Sequence, residues 1–94
     1  MIGDGIKLAR KRSGLSQMDL CGKIECTQSH LSQIETGLHK PSWGLLEKIS
    51  ESLDVPIPII CWLGFKREEI SDEKKKIFDI IKPAIDEALK EISF

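Results

Sequence analysis

Residues 14–41 read GLSQMDLCGKIECTQSHLSQIETGLHKP, and this stretch decides the fold. Gly14 stops whatever helix precedes it. Ser16-Gln17-Met18-Asp19 puts an acid three residues after a serine, the spacing of a capping box, so a helix starts behind Ser16. Leu20, Cys21 and Ile24 share one face of that helix. Glu25 and Cys26 make a short turn, and Thr27 can cap a second helix that begins at Gln28 and ends at Thr36-Gly37. At about 100° per residue, with Gln28 at zero, Gln28, Ser29, Ser32, Gln33 and Thr36 fall between roughly 0° and 140°. Leu31 and Ile34 fall near roughly 300° and 240°, on the opposite side. The outer face therefore holds only hydroxyls and amides, where an ordinary surface helix would mix in Lys and Glu. Gln can pair bidentately with adenine in the major groove, and Ser or Thr can bond several base edges. A merely solvated polar face would read the same way.

Working outward, helical spacing dominates and no run alternates long enough to make a strand, so the chain reads as all-α. A helix from about Gly3 to Ser13 points Ile6 and Ala9 inward and loads Arg10, Lys11 and Arg12 into its last turn, where cations suit the helix dipole. Ser42 caps a helix from Trp43 to Leu53, with Leu45, Leu46, Ile49 and Leu53 inward. Pro56 opens a short fifth helix ending near Gly64. Residues 65–70 form a charged connector. A last helical segment spans 71–93, and Pro83 predicts a kink or a break into two helices there, because it removes one hydrogen bond.

The 94 residues carry 14 basic and 15 acidic side chains, a formal charge of −1. That excludes the bulk basicity of a protein that coats nucleic acid, so DNA binding must rest on local placement of charge. An odd count of cysteines, Cys21, Cys26 and Cys61, with no secretory leader suggests free thiols in a reducing cytoplasm. Cys21 and Cys61 read as small core residues, Trp43 and Trp62 most simply as packing residues, though Trp43 could also stack near a sugar-phosphate, and His30 as packing against the preceding helix or, alternatively, touching DNA. No spacing resembles a metal site, and no cofactor is implied. No acid/base couple, Gly-rich phosphate loop or nucleophile motif is present, and Ser71-x-x-Lys74 matches a lactamase-type spacing by chance. An enzyme is not expected. The longest apolar run, residues 57–65, is about half of what a bilayer needs, so neither a membrane span nor a membrane partner is expected.

Ile2-Gly3, Ile6, Arg10, Gly14-Leu15-Ser16-Gln17, Leu20, Ile24, Ser29, Leu31-Ser32, Ile34-Glu35, Gly37 and Lys40-Pro41-Ser42 keep an order and spacing that resembles the Xre family, the Cro and C1-type phage-repressor domains. Leu46, Ile49 and Leu53 continue the likeness, which covers residues 2–64. The resemblance implies a five-helix helix-turn-helix bundle that reads double-stranded DNA. It assigns Gln28, Ser29, Ser32 and Gln33 to base edges and nearby phosphates, and Gln17, at a helix N-terminus, to a phosphate. Lys40, Ser42 and Trp43 would lie along the DNA backbone, with Thr27 and Thr36 at the ends of the recognition helix. It also implies an ion pair of Arg10 with Glu35. Three departures stand out. Glu25 stands where Gly is common, so it is expected to take a positive φ at some cost. Cys21 replaces a small alanine, and Leu38 stands where a basic residue is frequent. Residues 1–62 balance Lys7, Arg10, Lys11, Arg12, Lys23, Lys40 and Lys48 against Asp4, Asp19, Glu25, Glu35, Glu47, Glu51 and Asp54. A neutral domain implies a shallow salt dependence and an affinity that needs two subunits on one DNA.

Phe78, Ile81, Ile85, Ala88 and Ile92 are spaced 3, 4, 3, 4, the seam of a short coiled coil, and Ile77, Ala84 and Leu89 widen it. The stripe suits a dimer, or alternatively packing on its own domain. The expectation is a transcriptional repressor that binds a near-palindromic operator as a homodimer, cytoplasmic and bacterial or phage-encoded, on the nucleoid when bound. The rival is an interaction module or antitoxin-like protein whose C-terminal helix grips a partner protein.

Overall fold

A computed structural model describes residues 2–91. The described residues form six α-helices and no strand: α1 (Ile2–Arg12), α2 (Gln17–Ile24), α3 (Gln28–Glu35), α4 (Trp43–Leu53), α5 (Ile57–Gly64) and α6 (Asp72–Glu91). A 3-10 turn, Arg67–Glu69, sits in the connector before α6, where the sequence showed only charge.

The core is built from one face of each of the first five helices. Ile6 and Ala9 of α1, Leu20, Cys21 and Ile24 of α2, Leu31 and Ile34 of α3, Leu46, Ile49 and Leu53 of α4, and Ile60 of α5 form one buried cluster with Val55. Burying such side chains stabilises by about 1.5–3 kcal/mol each, the main favourable term in a domain this small. α1 lies close against two backbones: a Cβ on Gly3 would overlap the Ile34 carbonyl of α3, and one on Gly5 the Ile60 carbonyl of α5. Glycine at these two sites lets α1 wedge between the candidate recognition helix and α5.

α6 packs on this unit through one side only. Phe78 is buried against Trp62 and Phe65, with ring centroids 5.9 Å apart in both pairs. Trp62 Nε1 donates to Asp86 Oδ1 at 3.3 Å, and Leu89 is buried. Near the connector, Arg67 makes a two-pronged, solvent-exposed pair with Asp79 at 2.8 and 3.1 Å.

The structure corrects four sequence expectations. Of the kink or break expected at Pro83, the break into two helices does not occur: α6 runs on through Pro83, because a single missing N–H leaves the rest of the ladder intact and the ring faces solvent. Cys61 is exposed, since the buried line of α5 runs through Ile60 and Gly64 instead. Trp43 is 65% exposed, as expected of a residue in the first turn of α4, outside the Leu46–Ile49–Leu53 line. His30 is exposed and faces the His39 ring in the following loop, centroids 6.3 Å apart, rather than packing on α2.

Candidate nucleic-acid interface

Local chemistry sets α2 and α3. Ser16 Oγ accepts from the Asp19 N–H and Asp19 Oδ2 accepts from the Ser16 N–H, both at 3.0 Å, closing the capping box. Hydrogen bonding to the Ser16 N–H, and secondarily to the Ser16 hydroxyl, holds the Asp19 carboxyl below its usual range. α2 ends where Glu25 turns left-handed, φ 57 and ψ 46, and the N–H groups of Glu25 and Cys26 both reach the Cys21 carbonyl. The departure from glycine at Glu25 thus has its backbone consequence. Thr27 Oγ1 then accepts from the His30 N–H at 3.1 Å and starts α3.

α3 has two opposed faces. Leu31, Ile34 and Glu35 are buried, whereas Gln28, Ser29 and Thr36 are exposed and Ser32 and Gln33 are half-buried. No charged side chain stands on the outward face. The buried carboxylate of Glu35 is answered by Arg10, which donates from Nε at 2.7 Å and from Nη2 at 2.9 Å, with Nη1 on the Leu15 carbonyl at 2.8 Å. Gln17 Nε2 adds a third donor to Glu35 at 3.1 Å. One carboxylate therefore ties α1, α2 and α3 together at the base of the candidate reading helix. The Arg10–Glu35 pair was implied by the resemblance. The Gln17 bond was not legible, since no local periodicity links positions 18 residues apart.

That bond bears on Gln17 as a phosphate ligand. Its amide is turned toward Glu35, leaving the N-terminal backbone of α2 as the exposed polar group, beside the Asp19 carboxylate. Thr27 and Ser42 use their side-chain oxygens as cap acceptors, Ser42 from the Leu45 N–H at 3.2 Å, so each hydroxyl proton is still free to donate to a phosphate oxygen. Thr36 has spent its proton on the Gln33 carbonyl at 3.1 Å. Lys40, Ser42 and Trp43 are all exposed around the start of α4. Met18 and Leu38 are also 69% exposed: Leu38 stands where a basic residue is frequent in the family the chain resembles, and Met18 is an apolar group that the sequence did not single out as surface.

The expected seam on α6 divides. Phe78 and Leu89 are buried against their own chain, Ile85 is half-buried, and Ile81 and Ala88 are exposed. Ile92 lies outside the described residues. On the helical wheel the outward apolar line is Ile77, Ile81, Ala84 and Ala88, with Ile80 beside it, next to an inward line of Phe78, Lys82, Ile85 and Leu89. Among the described residues no helix is long and apolar enough to cross a membrane, and no group of three or more His, Cys, Asp or Glu is placed to hold a metal ion.

Comparison with known proteins places this geometry. Residues 2–58 match the family described as a helix-turn-helix domain. Over 58 residues the chain is 43% identical to the HTH-type transcriptional regulator SlrR of Bacillus subtilis, covering 61% of this chain and 38% of that protein. Over 52 residues it is 38% identical to the uncharacterised HTH-type transcriptional regulator y4dL of Sinorhizobium fredii, covering 55% of this chain and 26% of that protein. The chain thus spans less than half of the length of these curated relatives. Among solved structures it is similar to the DNA complex of SinR, a master regulator for biofilm formation, at 43% identity and a TM-score of 0.60, covering 64% of this chain and 97% of that one. It is also similar to a chain of a complex of the SinR and SinI proteins, at 35% identity and a TM-score of 0.60, covering 89% of this chain and 81% of that one.

Proposed function

Because this chain belongs to the helix-turn-helix domain family, we propose that it binds a specific double-stranded DNA site through α3 and represses transcription as a homodimer. The observation that carries the reading is the uncharged outward face of α3, its glutamines and serines opposed to Leu31 and Ile34 and held by the Glu35 network. In this reading Gln28, Ser29, Ser32 and Gln33 meet base edges, while Thr27, Lys40, Ser42, Trp43 and the N-terminus of α2 follow the backbone. The side chains of Gln17 and Thr36 join only by exchanging the hydrogen bonds they now make. Occluding a promoter needs no cofactor and no chemistry, so no reaction is assigned. The protein works in the cytoplasm of a bacterium, or of a phage-infected one, and on the nucleoid when bound. Relatives named as transcriptional regulators, one of them solved on DNA, support the reading.

The dimer part uses the outward line of α6, Ile77, Ile81, Ala84 and Ala88, in place of the buried Phe78 and Leu89. Two recognition helices roughly 34 Å apart would read a near-palindromic site. A second reading, capture of a partner protein, is favoured by one observation: an apolar hollow of about 250 Å3 beside that line, walled by Trp62, Phe65, Ile70, Ile77, Phe78 and Ile81. The SinR and SinI complex is a precedent for a partner protein in a relative.

Selection of bound duplexes from a random pool tests the proposal, with the wild type beside a Gln28→Ala/Gln33→Ala variant. Each lost base contact should cost about 1–3 kcal/mol. A palindromic motif enriched by the wild type alone supports operator binding. No enrichment by a folded protein at low salt overturns it in favour of partner capture.

A further inference from the structure

The turn between α2 and α3 holds two thiols, Cys21 and Cys26. The Cys26 N–H bonds the Cys21 carbonyl at 3.3 Å, across the left-handed Glu25. In this helix ending the side chains three residues before and two after the helix's final residue, here Ile24, face each other, and they are usually a hydrophobic pair. Here both positions are cysteine. Bond lengths on either side of one backbone hydrogen bond keep the two Cα atoms within about 7 Å, which is the outer reach of a disulfide. Both thiols are free, and their environments differ. Cys21 is 8% exposed in the core, whereas Cys26 is half-buried at the surface, its Sγ donating to the Thr27 carbonyl at 3.3 Å. Neither thiol is used by the proposed DNA contacts.

We propose that Cys21 and Cys26 form a peroxide-reactive pair that closes to an intramolecular disulfide, and that the link weakens DNA binding by α3. The second half rests on the DNA-binding reading, but the first does not. Cys26 reacts first because it is the one that solvent reaches. Its Sγ proton leaves to water, and the thiolate attacks one oxygen of a hydroperoxide. The O–O bond breaks, and the departing oxygen takes the electron pair and a proton, leaving a sulfenic acid on Cys26. Cys21 Sγ then bonds to Cys26 Sγ, displacing the hydroxyl, which leaves as water with the Cys21 proton. Two thiols are oxidised by two electrons, and one hydrogen peroxide is reduced to two waters. Burial pushes the Cys21 thiol up to about 11, and the adjoining Cys26 thiol raises it too, so Cys21 waits as a protonated resolving group. The link would tie the last turn of α2 to the residue before the α3 cap, beside the Arg10 and Glu35 charges that orient α3.

The test uses the full chain carrying Cys61→Ser, which removes the exposed third thiol and leaves the pair. The folded protein is treated with hydrogen peroxide, denatured, alkylated and digested. Trypsin cuts after Lys23, between the two cysteines, so a link keeps peptides 13–23 and 24–48 joined until dithiothreitol separates them. The expected result is this joined species, with loss of both alkylable thiols. Sulfinic acid on Cys26 with Cys21 still alkylable, or dimers joined through Cys26, would overturn the site. Adding Cys26→Ser should leave Cys21 at least tenfold slower to oxidise, and an unchanged rate overturns the proposed order. At least tenfold weaker binding of the duplex selected by the reduced chain is expected after oxidation. Linked peptides with unchanged affinity overturn the regulatory half alone, and absence of any selected duplex speaks against the DNA reading without touching the peptide result.

Discussion

Removing one partner of the Arg10–Glu35 pair should unfold much of the domain's stability, and removing both should restore it. The side chains are 8% and 2% exposed, so neither ion is screened by bulk water. Glu35 accepts three donors, two from Arg10 and one from Gln17. Glu35→Leu leaves a buried guanidinium whose remaining partner is the Leu15 carbonyl, and Arg10→Met leaves a buried carboxylate with the Gln17 amide alone. Breaking a buried pair from one side costs about 3–5 kcal/mol, against a total of roughly 5–15 kcal/mol for a domain. For a chain of this size that lowers Tm by roughly 12–40 °C, at 4–8 °C for each kcal/mol. The double variant replaces two desolvated charges by apolar groups of similar length, a change that is often neutral or stabilising. The two single losses sum to about 6–10 kcal/mol, so a near-neutral double variant leaves a coupling of comparable size. Urea unfolding followed by circular dichroism, extrapolated linearly, measures all four corners of the cycle. Single losses below about 1 kcal/mol would mean the pair is solvated and worth no more than a surface bridge. A double variant as damaged as the sum of the singles would refute the coupling itself.

Four further outcomes follow from the same coordinates. Glu25→Gly relieves the left-handed backbone at φ 57 and should stabilise by about 1 kcal/mol in the same urea assay. Gly5→Ala drives a methyl into the Ile60 carbonyl and should cost about 3 kcal/mol, or shift α1 visibly in the amide NMR spectrum. Burial opposes ionisation of Asp86, but hydrogen bonds from Lys82 and Trp62, with the charges of Lys82 and Arg12, outweigh it and hold its carboxyl below the usual range. Its folded-state contribution is thus complete above the ordinary aspartate value of about 3.9 and is lost as pH falls below it. Trp62 fluorescence in a Trp43→Phe background should change there, and Asp86→Asn should flatten the change. Ile81→Asp, on the outward line of α6, should turn a dimer into monomers by light scattering with little loss of Tm, whereas a lower Tm at unchanged size would place Ile81 in the protein's own packing.

The bundle was legible because each of its helices carries its own punctuation. Ser16, Thr27 and Ser42 accept the cap hydrogen bonds that their positions announce, and α2, α3 and α4 start one residue later. Leu31 and Ile34 are buried where the period puts them. Periodicity could not say which of two equivalent arcs of α6 meets the domain, because apolar residues occupy both. Phe78 faces inward on account of Trp62 and Phe65, partners that α6 itself does not encode. The same limit explains Cys61 and Trp43, whose apolar character says nothing of direction on helices with another buried line. At the candidate interface the polar face of α3 could be read from spacing alone. The choice of Glu35 over a phosphate as the partner of Gln17 is a tertiary fact, and so is the His30–His39 contact.

The width of the apolar arc on α6 bears on why a neutral domain would carry this helix at all. Packing on one neighbour needs an apolar stripe of only about 100°, and the line through Phe78, Ile85 and Leu89 already fills it. Ile77, Ile80 and Ile81 remain 58%, 75% and 42% exposed, a cost in solubility with no return inside the monomer. A DNA-binding surface with balanced charge gains little from counterion release by one subunit. It gains most from doubling its base contacts, because a second subunit on the same duplex binds at high effective concentration. An outward apolar line on the helix beyond the bundle is where such a second subunit can be recruited without touching α3. The two unexplained features, a weakly charged reading face and a half-uncovered α6, are then the two halves of one arrangement. The homodimer proposal accounts for both, whereas partner capture alone leaves the polar face of α3 without a role.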